Sequence, residues 1–497
     1  MDIPPPKKTL TEPTPESTMT QVPGAPLLRA SINSRQMSMI AIGGVIGAGL
    51  FVGSGSVVNT AGPAALVAYT GCGLLVVLIM RMLAELSVAS PTTGSFAAYA
   101  SREFGSWAGQ TIGWLYAYSW SITVGIEAVI GGGLVHELWP QVPAWLAALV
   151  CMVLLTGCNL LTVRAYGEVE FWFSAIKVGA ICLFLVLGVV AIAGWFPGVP
   201  APGTSNLLGD GGFAPHGWAA LLPALLVVMF SYNGTEVVTI AAGEAVRPAE
   251  AVRKAMRSTV LRILTFYIGS VAVFVTLMPS DDASITRSPY AAVLEKLGIP
   301  GGALIMQFLV LVAVLSCLNS GIYTSSRMLF ALSSNGEAPA ALTRTSRRGV
   351  PVTAILAVSA VGFTTGFANY FFSTSSLFVL LTGTTGSIVV LVYLCIAATQ
   401  IRSRSRARRE GIELPVRMWG FPYISWAVIV LLLAFTAMLA VNTDTRPPLV
   451  LTLIAASVAM AFAVVRQRRT PSRTDAARTV TSQPRLAENE VARDGWN

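Results

Sequence analysis

Long apolar runs separated by short polar stretches dominate the chain. Twelve of them are long enough to cross a bilayer at about 20 residues per crossing. They cover 38–59, 64–86, 106–135, 144–163, 169–194, 218–245, 258–278, 302–332, 352–369, 375–399, 420–441 and 448–465. The ninth is short and carries Thr364, Thr365 and Asn369. Backbone groups in lipid must be satisfied within the span, so runs of this length read as helices. The expected fold class is an all-α membrane protein of twelve transmembrane helices. An even number of crossings puts both chain ends on one side.

The same pattern divides the chain. Residues 1–36 are polar, rich in Pro, Thr and Lys, and lack the apolar core of a cleavable signal peptide. They read as a disordered tail. Residues 37–399 hold the first ten spans, 400–419 form a basic loop, 420–465 hold the last two spans, and 466–497 form a second, basic tail.

Composition narrows the solvent. The 497 residues are 54% hydrophobic and 11% charged, with a mean hydropathy of +0.68. Water-soluble domains carry about 25% charged residues, so an ordinary soluble enzyme is excluded and the lipid bilayer is the main partner. The net charge of +9 suggests nucleic acid until its distribution is read. Arg102, Arg164, Arg247, Arg253, Lys254, Arg257, Arg344, Arg347 and Arg348 fall after even-numbered spans. So does the cluster Arg402, Arg404, Arg406, Arg408, Arg409 and Arg417. The opposite loops hold Arg287, Lys296 and Arg446. This is a topology signal that places both termini in the cytoplasm of a plasma-membrane protein, with no nucleic acid involved.

Little else in the chain suggests bond-making chemistry. The cysteines (72, 151, 158, 182, 317 and 395) lie inside apolar runs without regular spacing and read as small packing residues. His136 and His216 fall in outer loops, and neither HExxH nor GxSxG occurs. No catalytic residue, metal site or cofactor is expected.

Two runs are interrupted at mid-depth. The first reads AIGGVIGAGLF from Ala41, with four glycines in seven residues. Each weakens a helix by up to about 1 kcal/mol relative to Ala. The sixth reads FSYNGTE from Phe230. Unwound backbone is tolerated in a membrane only where it lines an enclosed cavity, and paired interrupted spans five apart suggest two related five-helix halves around a binding site. Freed N–H groups around Gly47 to Gly49 suit a carboxylate. Carbonyls near Ile42 and Phe230 suit an ammonium. Taken alone, the glycines fit close helix packing equally well, since Gly43-x-x-x-Gly47 is a small-residue repeat.

Charges inside the spans are the remaining candidates, because each costs about 2.5–3.5 kcal/mol at mid-bilayer on insertion scales. Lys177 and Glu127 lie deep. Glu236 and Glu244 follow the sixth break; Glu244 precedes Arg247 and suits a gate or a surface salt bridge. Glu85 and Arg81 lie at the inner end of the second span.

Together IGGVIGAGLF, GPAALVAY, MRMLAELSVASPTTGSFAAYA, FSYNGTEVVTIAAGE and LNSGIYTSSRMLFAL resemble the bacterial amino acid permeases of the amino acid–polyamine–organocation superfamily. TIGWLY, GCNLLTVRAYGEVEFW and LVYLCIAATQIR are most similar to its 4-aminobutyrate (GABA) permeases. The resemblance runs from about Arg35 through the last span. It implies a LeuT-type five-plus-five inverted repeat with spans 11 and 12 peripheral, proton-driven uptake of a small amino acid, and no bound cofactor. It also implies that Ile46, Gly47, Ala48 and Gly49 meet the substrate carboxylate, that Phe230 covers the site, and that Ser231 and Gly234 line it. Lys177 would match the span 5 lysine that occupies the place of a sodium ion in proton-coupled relatives, and it is assigned to proton coupling. Glu236 and Glu244 match the acidic positions of the sixth-span motif, with Glu236 available for proton coupling. Asn319, Ser320 and Tyr323 would face the same cavity. Glu127 is assigned to proton coupling and to a distal amine of the substrate, and Glu85 to a gate.

The expected activity is alternating access, in which an amino acid and a proton enter together and leave inside. An amino acid exchanger and a nutrient receptor are the rival readings. An intramembrane enzyme lacks its nucleophile and base.

Overall fold

A computed structural model describes residues 34–209, 211–245, 248–368 and 374–469. The expected tails fall outside these, apart from their inner few residues, as do Arg247 and Asn369.

Among the described residues every regular element is helical. The first apolar run gives α1 (Ser34–Gly43), an irregular stretch, a π-helical turn (Gly49–Gly53) and α2 (Ser54–Ala61). A reversal at Gly62, with φ 62°, leads into α3 (Ala65–Ala89). The short α4 (Ser95–Phe104) precedes α5 (Ser106–Leu138), and α6 (Ala144–Leu161) precedes α7 (Val163–Ile192). Thr162 starts α7 by accepting a hydrogen bond from the Ala165 N–H at 3.0 Å. After the small α8 (Ser205–Leu208), the sixth run appears as two pieces, α9 (Leu221–Ser231) and α10 (Val237–Ala241). Then follow α11 (Pro248–Leu277), α12 (Ala283–Arg287), α13 (Pro289–Lys296), α14 (Gly302–Ser334), α15 (Val352–Ala368), α16 (Thr374–Arg409), α17 (Tyr423–Val441) and α18 (Arg446–Arg469).

Each predicted run is therefore helical near its predicted place. Among the described residues eight helices are long and apolar enough to cross a membrane, and Trp218–Ser231, Leu264–Leu277 and Val352–Thr365 are shorter apolar ones. One boundary needs correcting. The basic loop expected at 400–419 is helical through Arg409, because Gln and Arg are good helix formers and cations suit a helix C-terminus.

Packing separates an inner set from an outer one. α5 lies along α14, α1 rests on α7 and α11, and α9 on α16. The outer helices turn large apolar residues outward, among them Leu154 on α6, Val430 and Leu431 on α17, and Ile454 and Val458 on α18. Such a surface suits lipid.

Candidate functional site

Helix α1 ends at Gly43, and regular structure resumes only at Gly49. Across from it, α9 ends at Ser231 and α10 begins at Val237. The two breaks touch. A Cβ on Gly234, whose φ is 105°, would lie 2.6 Å from the Gly44 carbonyl oxygen. A Cβ on Gly49 would lie 2.7 Å from Ser231 Cα. The glycines thus serve both roles left open above: they let the backbone unwind and they admit close approach. Ser231 Oγ donates to the Gly49 carbonyl at 2.8 Å. The Tyr267 hydroxyl, from α11, lies 2.9 Å from the Val45 carbonyl and 2.7 Å from the Ser231 carbonyl.

Between the breaks lies a cavity of about 10 Å³, room for about one water. Its walls are Gly44, Val45 and Gly49 of the first break, Trp120, Thr123 and Glu127 of α5, Phe230, Ser231 and Asn233 of the sixth run, and Cys317 of α14. The backbone N–H of Ala48 points at Glu127 and is 3.1 and 3.2 Å from its two carboxylate oxygens. Asn233 is buried, and neither end of its side-chain amide has a partner among the described residues. Buried polar groups are normally paired, so this amide is a vacant handle beside the cavity.

A second cluster stands behind the first break. Lys177 Nζ donates to the carbonyls of Gly43 at 2.8 Å and Ile46 at 3.0 Å, and to Ser316 Oγ at 2.8 Å. Ser316 Oγ donates in turn to Glu170 Oε1. Asn319 Nδ2 donates to the other Glu170 oxygen at 3.0 Å, and Asn159 Nδ2 to Asn319 Oδ1 at 2.8 Å. Lys177 and Glu170 are both fully buried; such charges need partners, and these have them.

Two more acidic groups are tied elsewhere. Glu236 accepts from Tyr116 OH at 2.6 Å and from the Gly234 N–H at 3.1 Å, which holds the sixth break in shape. Glu244 accepts from Arg327 Nε at 3.0 Å, both side chains being buried. The Arg327 guanidinium lies 4.0 Å from the centre of the Tyr323 ring, which stacks on Tyr166 at 4.3 Å and 1°. This column fills the space between α7, α14 and the end of the sixth run.

The profile of the family described as amino acid permease matches residues 36–465. The chain belongs to the amino acid permease family. The permease is 45% identical over 457 residues to the gamma-aminobutyric acid permease of Bacillus subtilis, a match covering 92% of this chain and 97% of that one. The gamma-aminobutyric acid permease of Escherichia coli is 46% identical over 403 residues, covering 81% and 86%. An aromatic amino acid transport protein of Corynebacterium glutamicum is 36% identical over 423 residues, covering 84% and 91%. Among solved structures, a mutant of the Eremococcus coleocola manganese transporter superposes with a TM-score of 0.56 at 14% identity, covering 88% of this chain and 94% of that one. At that identity the likeness is one of fold.

Within the permease, the expected site residues divide into groups. Gly49, Phe230, Ser231 and Glu127 line the cavity, and Ala48 presents its N–H there. A Cβ on Gly47 would meet Cys317 Cβ and Glu127 Oε1, each at 2.6 Å. Ile46 gives its carbonyl to Lys177, and Gly234 lies under Gly44. The carbonyls of Ile42 and Phe230, expected to await an ammonium, already accept backbone N–H groups of the breaks: Val45 and Ile46 on Ile42, Asn233 on Phe230. Asn319, Ser320 and Tyr323 do not line the cavity. They share the α14 face that carries Ser316 and Arg327, at helical spacing, and bond or stack against α7. Cys317 is the cavity residue of α14. Glu236 has no bond to the Lys177 cluster, and Glu244 pairs in the interior with Arg327, while Arg247 lies outside the described residues. Glu85 sits with Gln400 and Arg404 of α16 and the Met418 N–H, latching α3 to the α16 extension.

Sequence reasoning missed Glu170, Asn233, Tyr267, Cys317 and Arg327. For Glu170 a signal existed: it lies two helical turns from Lys177, with Ser174 between them on the same face.

Proposed function

We propose that the permease imports a small zwitterionic amino acid, with GABA as the leading candidate, across the plasma membrane together with a proton by alternating access. Relatives named as gamma-aminobutyric acid permeases at 45% and 46% identity support the substrate class. One observation carries the mechanism: the Ala48 N–H at the head of the second half of span 1 is held by a carboxylate of the protein's own, that of Glu127.

That N–H is where the substrate carboxylate belongs. While Glu127 is ionised it competes for the position. Protonation makes it a weaker acceptor and frees Ala48 for the incoming carboxylate. Proton and substrate are then bound together because one removes the other's rival. Across the cavity, Asn233 Oδ1 offers the substrate ammonium an unused acceptor, and Phe230 covers the alkyl chain. While protonated, Lys177 supplies a cation to the carbonyls of span 1, doing with a titratable group what a bound metal ion would do. The cavity must widen to admit substrate, since it has room for about one water.

The wider architecture belongs to the same proposal. Spans 1–5 and 6–10 form two inverted halves with span 1 and span 6 broken, spans 11 and 12 lie outside them, and both termini are cytoplasmic. The Lys and Arg distribution supports that orientation. Glu244 with Arg327 closes the inner route, and Glu85 is a second, outlying inner contact.

The test is uptake of labelled GABA into liposomes holding the purified permease, with and without an inward proton gradient. Asparagine, phenylalanine and lysine serve as competitors. Accumulation above the outside concentration only with the gradient, best suppressed by unlabelled GABA, is the expected result. Counterflow without any gradient-driven accumulation would replace symport by exchange.

A further inference from the structure

We propose that Glu170 is the cytoplasmic-side acceptor of the coupling proton, and that Ser316 carries the proton to it from Lys177. This rests on the proton-coupled reading above and adds the route by which the proton leaves.

The hydrogen bonds have a direction. Lys177 Nζ donates to Ser316 Oγ, and Ser316 Oγ donates to Glu170 Oε1. A hydroxyl that accepts on one side and donates on the other is the arrangement a relay needs. When the Lys177 ammonium gives a proton to Ser316 Oγ, the serine hydroxyl proton passes to Glu170 Oε1. Lys177 is left neutral, Glu170 is left protonated, and Ser316 is unchanged. No water or co-reactant is required.

Position gives the relay its sense. Glu170 precedes Lys177 by seven residues, about 10 Å along α7, toward the end of that helix which the charge distribution assigns to the cytoplasm. The inner half of span 1 covers it. A Cβ on Gly43 would overlap Glu170 Oε1, and Ser174 Oγ donates to the Met39 carbonyl at 2.9 Å. The carbonyls that hold Lys177, those of Gly43 and Ile46, flank the same break. A swing of α1 together with the break that follows it, away from α7, therefore removes two acceptors from the ammonium, which favours its deprotonation. The same swing uncovers Glu170 to water, which favours release of the proton inward. Lys177, Tyr166 and Cys317 are the titratable groups facing Glu170. On α1, Gly43, which has no side chain, lies against Glu170, and Gln36 packs on α7 at Gly167.

Ser316 and Glu170 lie outside the cavity wall, so the relay separates from substrate binding. The experiment uses the full chain in liposomes and compares gradient-driven accumulation of labelled GABA with GABA counterflow, which needs no net proton transfer. Ser316→Ala and Glu170→Gln should lose accumulation and keep counterflow, and Ser316→Thr, which restores the hydroxyl, should recover accumulation. Accumulation by Ser316→Ala at the wild-type level would overturn the relay. So would a Ser316→Thr protein that exchanges normally but fails to accumulate. Absence of gradient-driven accumulation in the wild type would overturn the symport reading itself, and the relay with it.

Discussion

Both carboxylate oxygens of Glu127 lie within hydrogen-bond distance of one backbone N–H, that of Ala48, at 3.1 and 3.2 Å. The sequence alone suggested the opposite use of this acid, as a partner for a distal amine. In the proposed mechanism its observed position makes it a rival of the substrate carboxylate. Glu127→Gln is neutral at every pH and should remove that rivalry. Wild-type affinity for GABA should fall as pH rises from mildly acidic to mildly alkaline, while the variant's affinity stays level. Titration calorimetry in detergent reads both curves. Transport against a gradient should be lost in the variant.

Gly47 has no room to grow. Its Cβ position is 2.6 Å from Cys317 Cβ, and overpacking a filled site costs about 1–3 kcal/mol even for small additions. Gly47→Leu should therefore insert into the membrane but bind no GABA, as read by the loss of ligand-induced thermal stabilisation. Unchanged affinity would remove the first break from the site.

The Glu244–Arg327 pair is buried on both sides. Removing one partner from such a pair costs about 3–5 kcal/mol, because the other charge is stranded. Glu244→Gln and Arg327→Met should each lower thermal stability strongly. The double variant should recover much of the loss, and, on the proposed role of the pair as the inner closure, it should leak GABA down its gradient faster than the wild type.

Glu337 follows α14 and lies outside the spans. Burial beside Ser101 pushes its carboxyl up from an ordinary 4.5 to about 7. A raised carboxyl favours the protonated folded state. The stability it contributes is thus complete below about pH 4.5 and disappears as pH rises through about 7. Between those limits, wild-type melting temperature should decline relative to Glu337→Gln, with the two parallel at higher pH. Paired melting curves across that range check the sign.

The spans were legible because hydropathy is a local property, written in each run without reference to its neighbours. The breaks were legible for the same reason, as glycine and polar residues in the middle of apolar sequence. What escaped was decided by rotation. Asn319 and Cys317 are two residues apart on α14, yet one faces Glu170 and the other the cavity. Tyr267 and Asn233 are neutral and carry no cost that flags them. Glu170 sits near the end of its helix, where an acid reads as a loop charge until the fold brings Ser316 against it. Arg327 was hidden similarly, since Glu244 already had a plausible neighbour in Arg247.

The contacts around the two broken helices are of two kinds. Those that join them to each other and to α11 are neutral: Ser231 to Gly49, and Tyr267 to Val45 and Ser231. Those that moor them to α5, α7 and α14 include three with a charged side chain, Glu127 on Ala48, Lys177 on Gly43 and Ile46, and Arg327 on Glu244, beside the neutral bond of Ser174 to Met39. In the proposed cycle the first kind travels as one rigid cargo, and only the second kind must let go. The slipping seam of that proposed cycle is therefore held largely by charge, and within it acidity on either side of the bilayer becomes the hand on the brake.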